Sequence, residues 1–81
     1  MKYAFPAIFV KDSQTEGAIN VVFPDILGAY TFGMGEKEAM EMAKDLLCTL
    51  LEQEEIKHIK PSLLTDIDKK LGTVLLVEVE K

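Results

Sequence analysis

The sequence predicts an α+β layer fold: an antiparallel three-stranded meander, one main helix packed on it, an irregular excursion, and a last strand. Three observations predict it. Runs of aromatic and β-branched residues fill the first third of the chain and stop at Pro24, Gly28 and Gly33. A stretch with apolar residues at helical spacing follows over 36–54. Thr73-Val74-Leu75-Leu76-Val77-Glu78-Val79 then reads as a strand near the end of the chain.

Residues 3–10 form the first predicted strand. Tyr3, Phe5, Ala7 and Phe9 alternate with Ala4, Pro6, Ile8 and Val10, so both faces are apolar and both call for cover. Pro6 has no N–H to give to a ladder and belongs at an edge, a bulge or a strand start. A polar connection over 11–17 leads to a second strand, 18–23, with Ile19, Val21 and Phe23 on one face. Pro24 ends it, Asp25 is expected to hydrogen-bond the backbone amides of its own turn, and Gly28 permits the reversal. Residues 29–32 make a short third strand.

Gly35 is the expected N-cap of the helix, with Glu36 and Glu38 at the positive end of its dipole. Steps of about 100° place Ala39, Ala43, Leu46, Leu47 and Leu50 in one stripe, widened by Met40 and Leu51. Glu41, Lys44, Asp45, Cys48 and Glu52 fall opposite. Ser62 is expected to cap a short helical turn over 63–71 that Gly72 stops. No linker or repeat divides residues 1–81, so a single domain is expected.

Composition narrows the function classes. The chain has 81 residues, 48% of them hydrophobic, and a net charge of −5 with fourteen acids. It has no arginine, and Lys69-Lys70 is the only adjacent basic pair, which argues against direct nucleic-acid binding. An acidic surface suits a basic protein partner, although solubility alone also explains it. The longest apolar run, residues 3–10 with Pro6 counted, is eight residues, so no membrane span or signal peptide is expected. The single cysteine points to a reducing cytoplasm. So short a chain often hides apolar surface in a homodimer or higher homo-oligomer.

Candidate chemistry is sparse. No Cys/His pair has metal-ligand spacing, the glycines are too spread to cradle phosphate, and no cofactor is expected. His58 stands alone in a charged connection, Asp25 lacks a partner carboxylate, and a catalytic role is not expected. Cys48 is either a tolerated thiol or part of a contact between chains.

At Phe23-Pro24-Asp25-Ile26-Leu27-Gly28, then Thr31 and Gly33, then Glu38-Ala39 and Ala43-Lys44, the chain resembles the HicB-like antitoxin family. Phe5-Pro6-Ala7, Pro61-Ser62 and the terminal Val77-Glu78-Val79 are similar as well, so the likeness runs along the whole chain. The resemblance implies a partial RNase H-like β-β-β-α-β domain without nuclease activity. It implies a protein-binding role, in which the domain covers the active site of a small basic mRNA-cleaving (HicA-like) toxin. Leu27 stands where the family has proline, Ala29 where it often has cysteine, and Met34-Gly35 where it has a polar residue and a Ser/Thr cap. The chain stops at Lys81, so the DNA-binding segment that many relatives carry is not expected. The expected toxin-binding patch is Asp25, Tyr30, Phe32 and Met34; the second choice is Glu41, Asp45, Cys48 and Glu52. Two other readings stay open: a stand-alone oligomeric scaffold or regulatory subunit, and a degenerate metal-dependent nuclease.

Overall fold

A computed structural model describes residues 1–81. The elements are β1 (Lys2–Lys11), β2 (Ala18–Val22), β3 (Tyr30–Met34), α1 (Gly35–Leu50), α2 (Glu54–Lys57) and β4 (Thr73–Glu80), with two 3₁₀ turns at Leu64–Asp66 and Lys69–Leu71. The strands form one antiparallel sheet in the order β3-β2-β1-β4. This is the predicted α+β layer, with the meander extended by the last strand and α1 packed on one face. None of its helices is long and apolar enough to cross a membrane.

The ladder explains how a proline sits inside the longest strand. β1 pairs with β4 over Lys2–Phe9 but with β2 only over Ile8–Lys11. The Asp12 N–H to Ala18 O bond (2.9 Å) beyond the last β1–β2 pair fixes the phase, so even-numbered residues of β1 turn their backbone groups toward β2. Pro6 is one of these, and β2 has already ended beside it. Its missing N–H therefore costs no ladder bond, and β1 is locally an edge there.

The main core lies between sheet and helix. Phe5, Ala7, Phe9, Ile19, Val21, Val77 and Val79 meet Ala39, Ala43, Leu47 and Leu51, the last four fully shielded from solvent. Small residues at the helix start let α1 lie close to the sheet. At Gly33 a Cβ would stand 2.5 Å from the Ala39 backbone nitrogen, so only glycine fits under the helix. β1 is buried from Phe5 through Phe9, hence on both faces, as its two-sided pattern predicts.

Several boundaries differ from expectation. β3 runs to Met34 because Gly33 and Met34 still pair with Ile19 and Ala18. Met34, not Gly35, occupies the N-cap position, with extended φ/ψ. Gly35 instead makes the turn from strand to helix at a φ of 85°, a conformation suited to glycine. The helix stops at Leu50 rather than Glu54, through i→i−3 bonds from Glu52 to Thr49 and from Gln53 to Leu50. Continuing it would stack Glu52, Glu54 and Glu55 on the negative end of the dipole. Restarting as α2 puts Glu54 and Glu55 in a first turn, where the dipole favours them, and buries Ile56.

The 63–71 segment is not a Ser62-capped helix. It forms two 3₁₀ turns, the second held by the Asp68 carboxylate accepting from the Lys70 N–H at 2.9 Å. Gly72 is extended rather than left-handed. It is glycine because a Cβ would lie 2.5 Å from the Phe9 carbonyl oxygen, where the excursion rejoins the sheet.

Candidate functional site

β3 is the open edge of the sheet on one side, and its sequence sorts cleanly onto two faces. Tyr30, Phe32 and Met34 point away from α1 and are 74%, 59% and 50% exposed. Thr31 and Gly33 point toward the helix. In register across the sheet, Tyr30 stands opposite Val22, Val22 opposite Ile8, and Ile8 opposite Val74. Leu76, paired with Pro6, carries the apolar surface on to β4. The face opposite the helix is therefore an apolar strip from edge to edge, buried at Pro6 and Ile8 and exposed at β3. Leu27, at the tip of the β2–β3 turn, is fully exposed beside it.

Asp25 does not join this patch. Its carboxylate accepts the Ser62 N–H at Oδ2 (2.8 Å) and the Ser62 hydroxyl at Oδ1 (2.6 Å), both part-buried. The expected bonds to its own turn are absent; that turn is closed by backbone bonds from Ile26 to Phe23 and from Ala29 to Ile26. Asp25 is thus a latch tying the β2–β3 turn to the start of the 62–72 excursion. The excursion in turn packs its 3₁₀ turns against β4 and β1. Sequence reading singled out both Pro24-Asp25 and Pro61-Ser62 but had no means to join them.

The second expected patch divides as well. Glu41 and Asp45 are exposed on the outer face of α1, and neither lies within ion-pair distance of a lysine. Glu52 is exposed too, but in the turn after the helix ends. Cys48 is misplaced among the charges: its side chain is half-buried against the core. The buried stripe rotates by roughly 40° at each i→i+4 step from Ala39 to Leu51, which brings Cys48 onto its flank. His58 is largely exposed and 3.5 Å from Glu54. At the other end of the helix, Glu38 reaches back so that its carboxylate accepts the Met34 N–H at 2.9 Å.

No family model and no curated protein matches this sequence. Among solved structures, a chain of a toxin-antitoxin complex from Streptococcus pneumoniae superposes on 99% of this chain and 70% of that one. The TM-score is 0.83 and the identity 23%, a likeness that establishes a shared fold.

Proposed function

We propose that this chain is an antitoxin-like binding module of the HicB-like kind, and that it neutralises a small basic mRNA-cleaving toxin by covering its active site. The observation that carries the reading is the fold shared over nearly the whole chain with a component of a toxin-antitoxin complex. Two features of the surface support it. Tyr30 and Phe32 are large, exposed and held on a rigid strand, the kind of side chain that supplies most of an interface's affinity. The unpaired acids Glu41 and Asp45, in a chain of net charge −5, would speed encounter with a basic partner. On this reading the chain is not itself an enzyme, works in the cytoplasm, and touches RNA only through its partner.

Co-expression with the small basic reading frame beside its gene, followed by size-exclusion chromatography, tests the proposal. A stable complex that suppresses the partner's RNA cleavage is the expected result. Free migration of the two proteins, with cleavage undiminished, refutes it.

A further inference from the structure

The backbone of β3 carries an inference that does not rest on the antitoxin reading. Two bonds flank the β2–β3 ladder: the Phe23 N–H to Ala29 O (3.0 Å) and the Gly35 N–H to Gly17 O (2.7 Å). Both join odd-numbered residues, and antiparallel ladders alternate, so Thr31 and Gly33 spend their backbone groups on β2. The N–H and C=O of Tyr30 and Phe32 therefore point out of the sheet. Met34 points outward as well, but its N–H is already taken by Glu38. The fully open stretch is Tyr30-Thr31-Phe32, centred on Thr31.

We propose that a second copy of this chain pairs here, β3 against β3 in antiparallel register about a two-fold axis at Thr31. In that register Tyr30 exchanges two backbone hydrogen bonds with Phe32 of the other copy, and Phe32 two with its Tyr30. All four open groups of each edge are satisfied, and the capped Met34 N–H falls outside the seam. The side chains agree with the backbone. Tyr30 faces the other copy's Phe32 twice on one side of the sheet, and Thr31 faces Thr31 on the other, both favourable cross-strand pairs. No charged residue lies in the seam.

The opposite edge is guarded where this one is open. The Lys81 N–H to Met1 O bond (2.8 Å) sets the phase at β4, so Val74, Leu76, Glu78 and Glu80 face outward there. Self-pairing along β4 would bring Glu78 and Glu80 of two copies together, a common defence of edge strands. β3 has no charge, proline or bulge to prevent pairing. The seam is short, four backbone hydrogen bonds with the two Tyr30–Phe32 pairs beside them, so association should depend on concentration.

Sedimentation of the full chain from micromolar to near-millimolar concentration should show the average mass rising from 9.0 kDa toward the dimer. Thr31→Cys in a Cys48→Ser background should oxidise readily to a symmetric disulfide dimer. Facing residues at such a non-hydrogen-bonded position are about 4.5 Å apart at Cα, within disulfide range. Tyr30→Cys alone should not cross-link, whereas a mixture of Tyr30→Cys and Phe32→Cys chains should. Tyr30→Pro removes an outward N–H and no bond to β2, so it should abolish the dimer while circular dichroism and melting are retained. A monomer at every concentration overturns the proposal. So does a dimer that survives Tyr30→Pro, or one in which Thr31→Cys cross-links no faster than Tyr30→Cys.

Discussion

Removing the Asp25 carboxylate tests the central structural finding. In the wild type it accepts two hydrogen bonds from one residue, Ser62, 37 positions away. A bond to a charged acceptor contributes about 1.5–3 kcal/mol net, and a donor left unpaired in a buried place costs about 1–3 kcal/mol. Because this site is only part-buried, water can replace some of what is lost. The expected cost of Asp25→Ala is therefore about 2–3 kcal/mol, below the sum of those two contributions. Ser62→Ala removes the hydroxyl bond but keeps the N–H bond, for about 1 kcal/mol. In a domain of this size each kcal/mol lowers Tm by about 4–8 °C, so Asp25→Ala should melt about 10–20 °C lower. Urea denaturation gives the free energies, and amide hydrogen exchange at Ser62 shows whether the excursion opens first. The double variant should fall short of the sum of the singles by about 1 kcal/mol, because the two groups share a bond. The latch is refuted if Asp25→Ala stays within about 0.5 kcal/mol of wild type while Ser62 exchange is unchanged.

Three further outcomes follow from the same geometry. Gly33→Ala places a Cβ 2.5 Å from the backbone nitrogen of Ala39, which cannot swing aside, and should destabilise by about 1–3 kcal/mol or more in urea unfolding. Leu47→Ala empties a fully buried site between helix and sheet and should cost about 2–5 kcal/mol by the same measurement. Glu41→Lys with Asp45→Lys should leave the melting temperature nearly unchanged. It should slow association with a basic partner in stopped-flow mixing at low salt, with the difference shrinking as salt rises.

The four strands and the main helix were legible because each carries a local cause that the tertiary fold does not override, unlike the 51–72 stretch between α1 and β4. Proline and glycine bracket β2 and β3, the alanines and leucines of α1 repeat at helical spacing, and β4 is β-branched and apolar. Boundaries were less legible where the deciding contact is distant in sequence. β3 gains Gly33 and Met34 from pairing with β2, and Gly72 is glycine because of Phe9 in β1. Asp25 and Ser62 illustrate the limit most clearly. Either residue has a sufficient local role, a turn for one and a cap for the other, and nothing in their spacing reveals that they hold each other. Tyr30, Phe32 and Met34 are exposed, and their alternation on one face became visible only because pairing with β2 extends the strand to Met34. That their backbone groups also face outward required the ladder.

Self-pairing and partner binding make different demands on the same three residues, and the geometry keeps those demands apart. Pairing uses the outward N–H and C=O groups of Tyr30 and Phe32, which lie in the plane of the sheet. Binding a basic partner would use their rings, which stand on the face away from α1. Joining two sheets of four strands across Thr31 would not cover that face; it would gather four aromatic rings at its middle. The two functions therefore predict separable variants. Phe32→Ala keeps every backbone donor and acceptor, so it should weaken partner binding by about 2 kcal/mol or more, as hot-spot aromatics do, and weaken the dimer less, by about 0.2–1 kcal/mol for each Tyr30–Phe32 pair lost. Tyr30→Pro should do the reverse to the dimer, and weaken partner binding only by its lost ring. Isothermal titration with the partner and sedimentation of the free chain, run on both variants, read the two effects independently. If Phe32→Ala abolishes both activities while the fold is intact, ring and backbone serve one interface, and their separation fails.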